Sequence, residues 1–346
     1  MSQFSCPVDN DNNDIITMAH GSGGRLTRQL VEDVIKPALG NARLDPLEDA
    51  AILQQFAQTA VMTTDSYVIS PIRFPGGDIG KLAVCGTVND LAMMGAKPLY
   101  LSLAFILEEG LDISEFAAVV ANIAQTAQAA NVAIVTGDTK VVEKGKGDKI
   151  FINTTGIGSR ENACKIGTGA IRPEDKIIVS GDIGRHGVAV MAARDPKAFD
   201  TAVISDIACL NHVVSALLEE DIDIHCMRDL TRGGLASACI ELAQSSSLQF
   251  ELEETVIPVD ESVQSVCDVL GLDPLYIANE GRFALIIPGA FVERALAVLA
   301  RFDNCKAACV IGAVTQGKRG WTTLRNAYGV RRKLDLLAGD QLPRIC

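Results

Sequence analysis

At 346 residues the chain exceeds what one hydrophobic core usually serves, so two domains of ordinary size are expected. Its 48% hydrophobic content excludes a disordered or fibrous protein, and no apolar run approaches the ~20 residues of a bilayer span, so a soluble chain is expected. The formal charge of -12, with lysines and arginines dispersed apart from "GVRRKLD" near the end, argues against a nucleic-acid partner.

The Asp/Asn-rich residues 1–18 hold too little apolar surface to offset ordering entropy, which predicts a mobile arm. They lack a basic leader and apolar core, so the cytoplasm is the expected compartment. Residues 19–170 read as the first domain. There "AVMTTDSYVIS", "KPLYLSLAFIL", "VAIVTG" and "KIFINTTGIGS" are strands by their β-branched and aromatic content. "DIGKLAVCGTVNDLAMMGA" is a helix ending at a glycine, and "DISEFAAVVANIAQTAQAAN" is a second, with Asp112 as cap and Glu115 completing a capping box. "IRPED" breaks the pattern, and residues 171–335 form the second domain. Its strands are "KIIVSGDIG", "FALIIP" and "AACVIGAVT"; its helices are "DIACLNHVVSALLEE", "TRGGLASACIELAQSS" and "AFVERALAVLARF". "WTTLRNAYGVRRKLD" predicts a hairpin turning at Tyr328 and Gly329. Residues 336–346 read as a flexible tail with too few anchors to pack, ending on Cys346. The fold class is therefore α+β, in two α/β-sandwich-like halves.

Five aspartates stand at strand ends or in glycine-bearing turns: Asp49, Asp65, Asp90, Asp138 and Asp229. Each alone reads as a helix cap or turn former; together they suit a hard divalent cation held with substrate phosphates. "HGSGGRL" and "DLTRGGLASA" place small residues before helices, where backbone N–H groups meet an anion or simply turn the chain. Neither matches a P-loop or a dinucleotide fingerprint. Lys140, Arg228 and Arg232 either neutralise phosphate or solvate the surface. Glu280, entering an apolar strand, is either a turn residue or a general base. The ten cysteines read mainly as small buried hydrophobes, and Cys305 with Cys309 lacks the spacing of a zinc site. The histidines, His186 among them, show no metal spacing and carry no role beyond possible substrate contact.

Through "EDAAIL", "TTDSYVISP", "VNDLAMMGAKP", "TGDTKV", "SGDIGRHG" and "RDLTRGG" the chain resembles the ATP-dependent family that includes aminoimidazole ribonucleotide synthetase, selenophosphate synthetase and thiamine monophosphate kinase. "HGSGG", "MRDLTRGGLA", "NEGR" and the closing "PRIC" resemble its hydrogenase-maturation branch. The resemblance implies two α+β domains, a homodimer through strands of the first, and ATP with Mg2+ as cofactors. It implies Asp49, Asp90 and Asp229 as magnesium ligands, and Asp65, Gly137, Asp138, Thr139 and Lys140, with Arg228 and Arg232, as nucleotide contacts. It further implies that a partner carbamoyltransferase loads Cys346 and that ATP dehydrates the carboxamide to a thiocyanate. The cyano group then passes to iron in a scaffold complex. Glu280 is the candidate base and Lys140 a candidate phosphate contact. A small-molecule kinase of the same family and a non-catalytic carbamoyl carrier are the alternatives. A tail suits the chemistry physically, because its eleven residues can extend roughly 35 Å between a partner and a cleft.

Overall fold

The computed structural model describes residues 24, 25, 28, 32, 51–53, 59–160, 165–197, 201–339, 342 and 344–346. The arm at 1–18 and Asp49 lie outside the described residues.

The first sheet has the order β1-β2-β7-β5-β6, from β1 (Ala51–Leu53), β2 (Thr59–Tyr67), β5 (Lys97–Glu108), β6 (Ala133–Val142) and β7 (Ile150–Arg160). A two-residue pair, β3 (Arg73–Phe74) and β4 (Gly77–Asp78), precedes helix α1 (Ile79–Met93). Asp78 caps α1 by accepting the Lys81 N–H at 2.9 Å, and Gly95, at φ +68, ends it. α1 is buried almost all round because it lies between this sheet and the second domain's α4 (Asn211–Glu219) and β9 (Cys226–Asp229). Helix α2 (Ile113–Ala129) packs beside α1. Asp112 caps it through the Ser114 N–H at 2.7 Å, whereas Glu115 turns its carboxylate to Lys149 instead of closing the box. The opposite face of the sheet leaves Met62, Tyr100, Ile106 and Ile157 exposed.

The second sheet runs β14-β13-β10-β12-β8-β11-β9, adding β8 (Lys176–Val179), β10 (Gln249–Glu253), β11 (Phe283–Ile287), β12 (Cys309–Thr315), β13 (Thr322–Arg325) and β14 (Arg331–Leu334). Every residue of β11 is buried: Ala284 and Ile286 join the core shared with α5 (Gly234–Ser246), while Phe283, Leu285 and Ile287 join the core shared with α4 and α7 (Val292–Leu299). Both faces are covered, which is why the strand reads as one unbroken apolar run. Helix α3 (Arg185–Arg194) follows the turn after β8, and α6 (Glu261–Leu270) packs beside it. The hairpin forms as expected, with Gly329 at φ +79 in its turn.

Two expectations are corrected. Helix α4 begins at Asn211, five residues later than the pattern suggests, because the backbone of 206–210 is held by side chains from elsewhere. The tail does find anchors. Ile345 is only 4% exposed and joins the first domain's core, with Leu342 and Cys346 packed against it. Val68 donates its N–H to a main-chain carboxyl oxygen of Cys346 at 3.3 Å, and Ser70 donates to the Arg344 carbonyl at 3.4 Å.

Candidate active site at the domain junction

The site assembles where the C-terminal ends of β2 and β9 approach the end of α1. Asp65 stands on the helix-facing side of β2. Asp90 lies in the last turn of α1 and accepts the Thr63 hydroxyl at 2.7 Å, which fixes one carboxylate oxygen. From the second domain, Asp229 ends β9, 8% exposed. The chain then turns through Arg232 into consecutive left-handed glycines, Gly233 at φ +73 and Gly234 at φ +59. A Cβ on Gly234 would sit 2.6 Å from the Leu275 and Ile277 carbonyls, so "TRGG" is dictated by conformation and space together.

Glu280 enters from the turn before β11 and is 3% exposed. Asn279 staples that turn in place: its Oδ1 accepts the Gly184 N–H at 2.7 Å, and its Nδ2 donates to the Leu230 carbonyl at 3.0 Å. Asp206 takes the Glu280 and Gly281 N–H groups on one oxygen at 3.1 and 2.9 Å. A Cβ at Gly281 would lie 2.0 Å from the Asp206 carbonyl, which admits only glycine there. Arg282 is turned away, to Asp182 at 2.7 Å. Each residue of "NEGR" thus has a local reason, and the acid alone is left to face the cleft.

The electrostatics follow from crowding. Burial raises Glu280 well above the usual carboxylate range, and Asp229, Asp206 and Asp65 add to the shift. Its Oε1 has no hydrogen-bond partner among the described residues, and neither has Asp206 Oδ1. Asp229 is pushed up to about 6 by burial, Asp65 adding and Arg228 opposing. Burial also raises Asp65, against the pull of Arg232. Arg232 answers this charge from the cleft. Its guanidinium holds its proton more tightly than usual chiefly because Cys346 is near, with Asp65, Glu280 and Asp90 contributing. The docked tail therefore brings Cys346 into the field of the same cluster.

Other expected contacts stand apart. Lys140 and Asp138 pair with each other at 2.7 Å on β6, with Lys140 69% exposed. In register, Asp65 lies opposite Thr154, Thr154 opposite Leu103, and Leu103 opposite Gly137. Three strand spacings of roughly 4.8 Å put Gly137 about 14 Å from Asp65 within this chain. Gly137 has a packing reason of its own, since a Cβ would meet the Leu103 carbonyl at 2.1 Å; Thr139 lies two residues further along the strand. Arg228 turns to Glu241 on α5 at 4.0 Å. Among the described residues no three His, Cys, Asp or Glu side chains converge into a ready-made metal cluster. Hard carboxylate oxygens at Asp90 and Asp229 nevertheless suit magnesium, which usually takes one or two carboxylates and completes its shell with water and phosphate.

Sequence reasoning passes over Asp206, Thr63 and Asn89, and gives His186 no role beyond possible substrate contact. Asn89 accepts the Leu210 N–H at 2.7 Å and donates to the Ala208 carbonyl at 3.0 Å, tying the domains together. Cys85 and Cys209 approach to 3.2 Å between sulfurs beside this seam; Cys85 is buried as expected and Cys209 only partly.

Two family models match the chain: the AIR synthase related protein N-terminal domain over residues 47–159 and the corresponding C-terminal domain over 172–324. A carbamoyl dehydratase HypE of Rhodobacter capsulatus is 45% identical over 96% of this chain and 98% of its own. A solved structure of HypE in complex with ATP superposes with a TM-score of 0.81 at 46% identity, covering 95% of this chain and 99% of that one. A HypE–HypF complex structure contains a chain with a TM-score of 0.84 at 42% identity, covering 89% and 99%.

Proposed function

This chain belongs to the HypE family of AIR synthase related proteins, and on that premise we propose that it is a carbamoyl dehydratase acting on its own tail, turning an S-carboxamide on Cys346 into a thiocyanate with ATP. The observation that carries the reading is the docked tail, which sets Cys346 beside Arg232 in the field of Asp65, Asp90 and Glu280.

The carboxamide oxygen takes the γ-phosphoryl group as the bond to the β-phosphate breaks and ADP leaves; both protons then leave the nitrogen, and the carbon–oxygen bond breaks to give nitrile and phosphate. Phosphorylation makes a poor leaving group a good one. Glu280 is the proposed base: a buried carboxyl with a raised pKa is a strong proton acceptor once ionised, and its Oε1 lone pairs are open to an amide N–H. Arg232 would hold charge on the phosphoryl oxygens. Asp90 and Asp229, with Asp49 outside the described residues, are the proposed magnesium ligands, and Asp65 and Arg228 are proposed nucleotide contacts. Magnesium would supply charge neutralisation at the transferring phosphoryl group.

We further propose a homodimer through the exposed face carrying Met62, Tyr100, Ile106 and Ile157, because such an apolar surface is uncommon on a monomer. The Gly137–Lys140 stretch, which lies in β6 and not in a turn, and which includes Asp138 and Thr139, would then reach the nucleotide across that dimer, since it stands too far from Asp65 within one chain. HypF is the proposed carbamoyl donor, and a HypC–HypD scaffold the proposed cyanide acceptor. A cytoplasmic location fits that role; among the described residues no helix is long and apolar enough to cross a membrane.

The test is to incubate the protein with carbamoyl phosphate, the carbamoyltransferase, ATP and magnesium, and to weigh the C-terminal peptide. A carbamoyl adduct without transferable phosphate, losing the mass of one water once ATP is present, supports the reading. An adduct that persists in ATP leaves only a carrier.

A further inference from the structure

The docked tail is gripped at several points, and one of them is buried. His186, in the first turn of α3, is fully buried and uses both ring nitrogens: Nδ1 meets the Ser205 hydroxyl at 2.8 Å and Nε2 meets the Ile345 carbonyl at 2.9 Å. A carbonyl only accepts, so Nε2 carries the hydrogen. Burial depresses the ring's basicity and keeps it neutral, which leaves Nδ1 as an acceptor. Ser205 therefore donates to Nδ1, while its oxygen accepts the Ile207 N–H at 3.1 Å. Phe74 meets the ring edge-on, 5.2 Å between centroids, and holds its plane.

We infer that His186 is a positioning residue for the tail reaction: Ser205 fixes its tautomer, and its Nε2–H clamps the Ile345 carbonyl so that Cys346 is presented to the cleft. Ser205, Ile207 and Phe74 all lie outside the tail, so the donor is aimed before the tail arrives. Docking of the tail gives this N–H its acceptor. The tail has further grips. The Arg344 guanidinium pairs with Asp148 and reaches the Val68 carbonyl at 2.9 Å, Arg194 donates to the Arg344 carbonyl, and the N–H groups of Val68 and Ser70 donate at 3.3 and 3.4 Å. Arg344 itself sits at φ +54, a left-handed turn that costs a side-chain-bearing residue energy and directs Ile345 inward. Gly187, next to the histidine, clears the way: a Cβ there would meet Ile277 at 2.5 Å and the tail's Leu342 at 3.0 Å.

The clamp rests on the proposed function for its catalytic meaning but not for its existence, and two readouts separate them. The first is the rate at which iodoacetamide alkylates Cys346 in the full chain without nucleotide, read on the C-terminal peptide by mass. The second is ATP-dependent water loss from the pre-carbamoylated chain. His186→Phe keeps the ring and removes the donor. Alkylation should quicken about tenfold, the order of one buried hydrogen bond. Dehydration at saturating ATP should slow by a similar factor, with KM for ATP unchanged. Ser205→Ala, which frees the tautomer but leaves the ring in place, should move both rates the same way by a smaller factor, and decides the matter where His186→Phe does not fold. Wild-type alkylation rates in a folded variant overturn the clamp. Faster alkylation in a protein whose wild-type form loses no water with ATP keeps the clamp and sinks the dehydratase reading.

Discussion

The tail and the Gly137–Lys140 stretch of β6 carry the two candidate catalytic side chains that lie outside the acidic cluster, and they sit in opposite surroundings. Cys346 arrives at the domain junction on a segment whose neighbour, Ile345, is buried and whose carbonyl is clamped by His186. Lys140 stands in solvent on an edge strand, paired with Asp138. On the proposed function the tail is a substrate brought to a prepared place, whereas the lysine needs a second surface before it has anything to act on. One chain thus holds the acid cluster and the substrate arm, and on the dimer reading it lends its lysine to its neighbour.

Removing Cys346 tests the first half and carries the largest effect: Cys346→Ala should abolish product altogether. The fold should remain, because Ile345 makes the buried contacts; a fall in Tm beyond a few degrees would show that the cysteine is structural. Glu280→Gln comes next. Losing a proton acceptor should cut the dehydration rate about 10²- to 10⁴-fold with carbamoylation by the partner unchanged. Equal losses in both steps would instead mean that the turn around Asn279 has collapsed.

The second half is tested by mixing inactive chains. In a symmetric dimer with shared sites, random pairing of Lys140→Ala with Glu280→Gln should restore about one quarter of the wild-type rate. No recovery in proven mixed dimers places Lys140 in its own chain's cleft. The smallest effect is a pH dependence. With no ligand bound, Asp229 titrates near 6 against 3.8 in an exposed carboxyl, so the fold binds the extra proton and this group costs stability as pH rises from about 4 to 6. Magnesium nucleotide needs the ionised form, so the Tm gain it confers should be a few degrees larger at pH 7 than at pH 5. Equal gains at both would remove Asp229 from the magnesium site.

The regular elements were legible because their apolar residues coincide with their burial, as an unbroken run in β11 and a nearly continuous one in α1. What escaped the sequence was whatever depends on partners distant along the chain. Residues 206–210 carry a helical pattern, yet Asn89 captures the Leu210 N–H and Asp206 captures those of Glu280 and Gly281, so the helix starts late. The tail looked unanchored because its anchors, His186, Val68 and Ser70, belong to other segments. His186 had one local signal, its place between glycines in "GRHG". Asp65, Asp90 and Asp229 stood out in the sequence together with Asp49 and Asp138, and Glu280 separately; that Asp138 pairs with Lys140 on β6 while Glu280 joins the other acids became visible only in the fold. That Gly137 would lie about 14 Å from Asp65, with Lys140 three residues further along the same strand, required the strand order, with β7 and β5 intervening.

The bonds from Asn89 to residues 208 and 210 bear on how such chains can be recombined. A hybrid joined near residue 170, with its two halves taken from different members of the family, inherits the seam as a lock from one parent and a key from the other. Unless an asparagine at 89 still faces a backbone bent like that of 206–210, each half could fold and the cleft between them would still be misaligned. The two domains are separate in sequence but not exchangeable as parts.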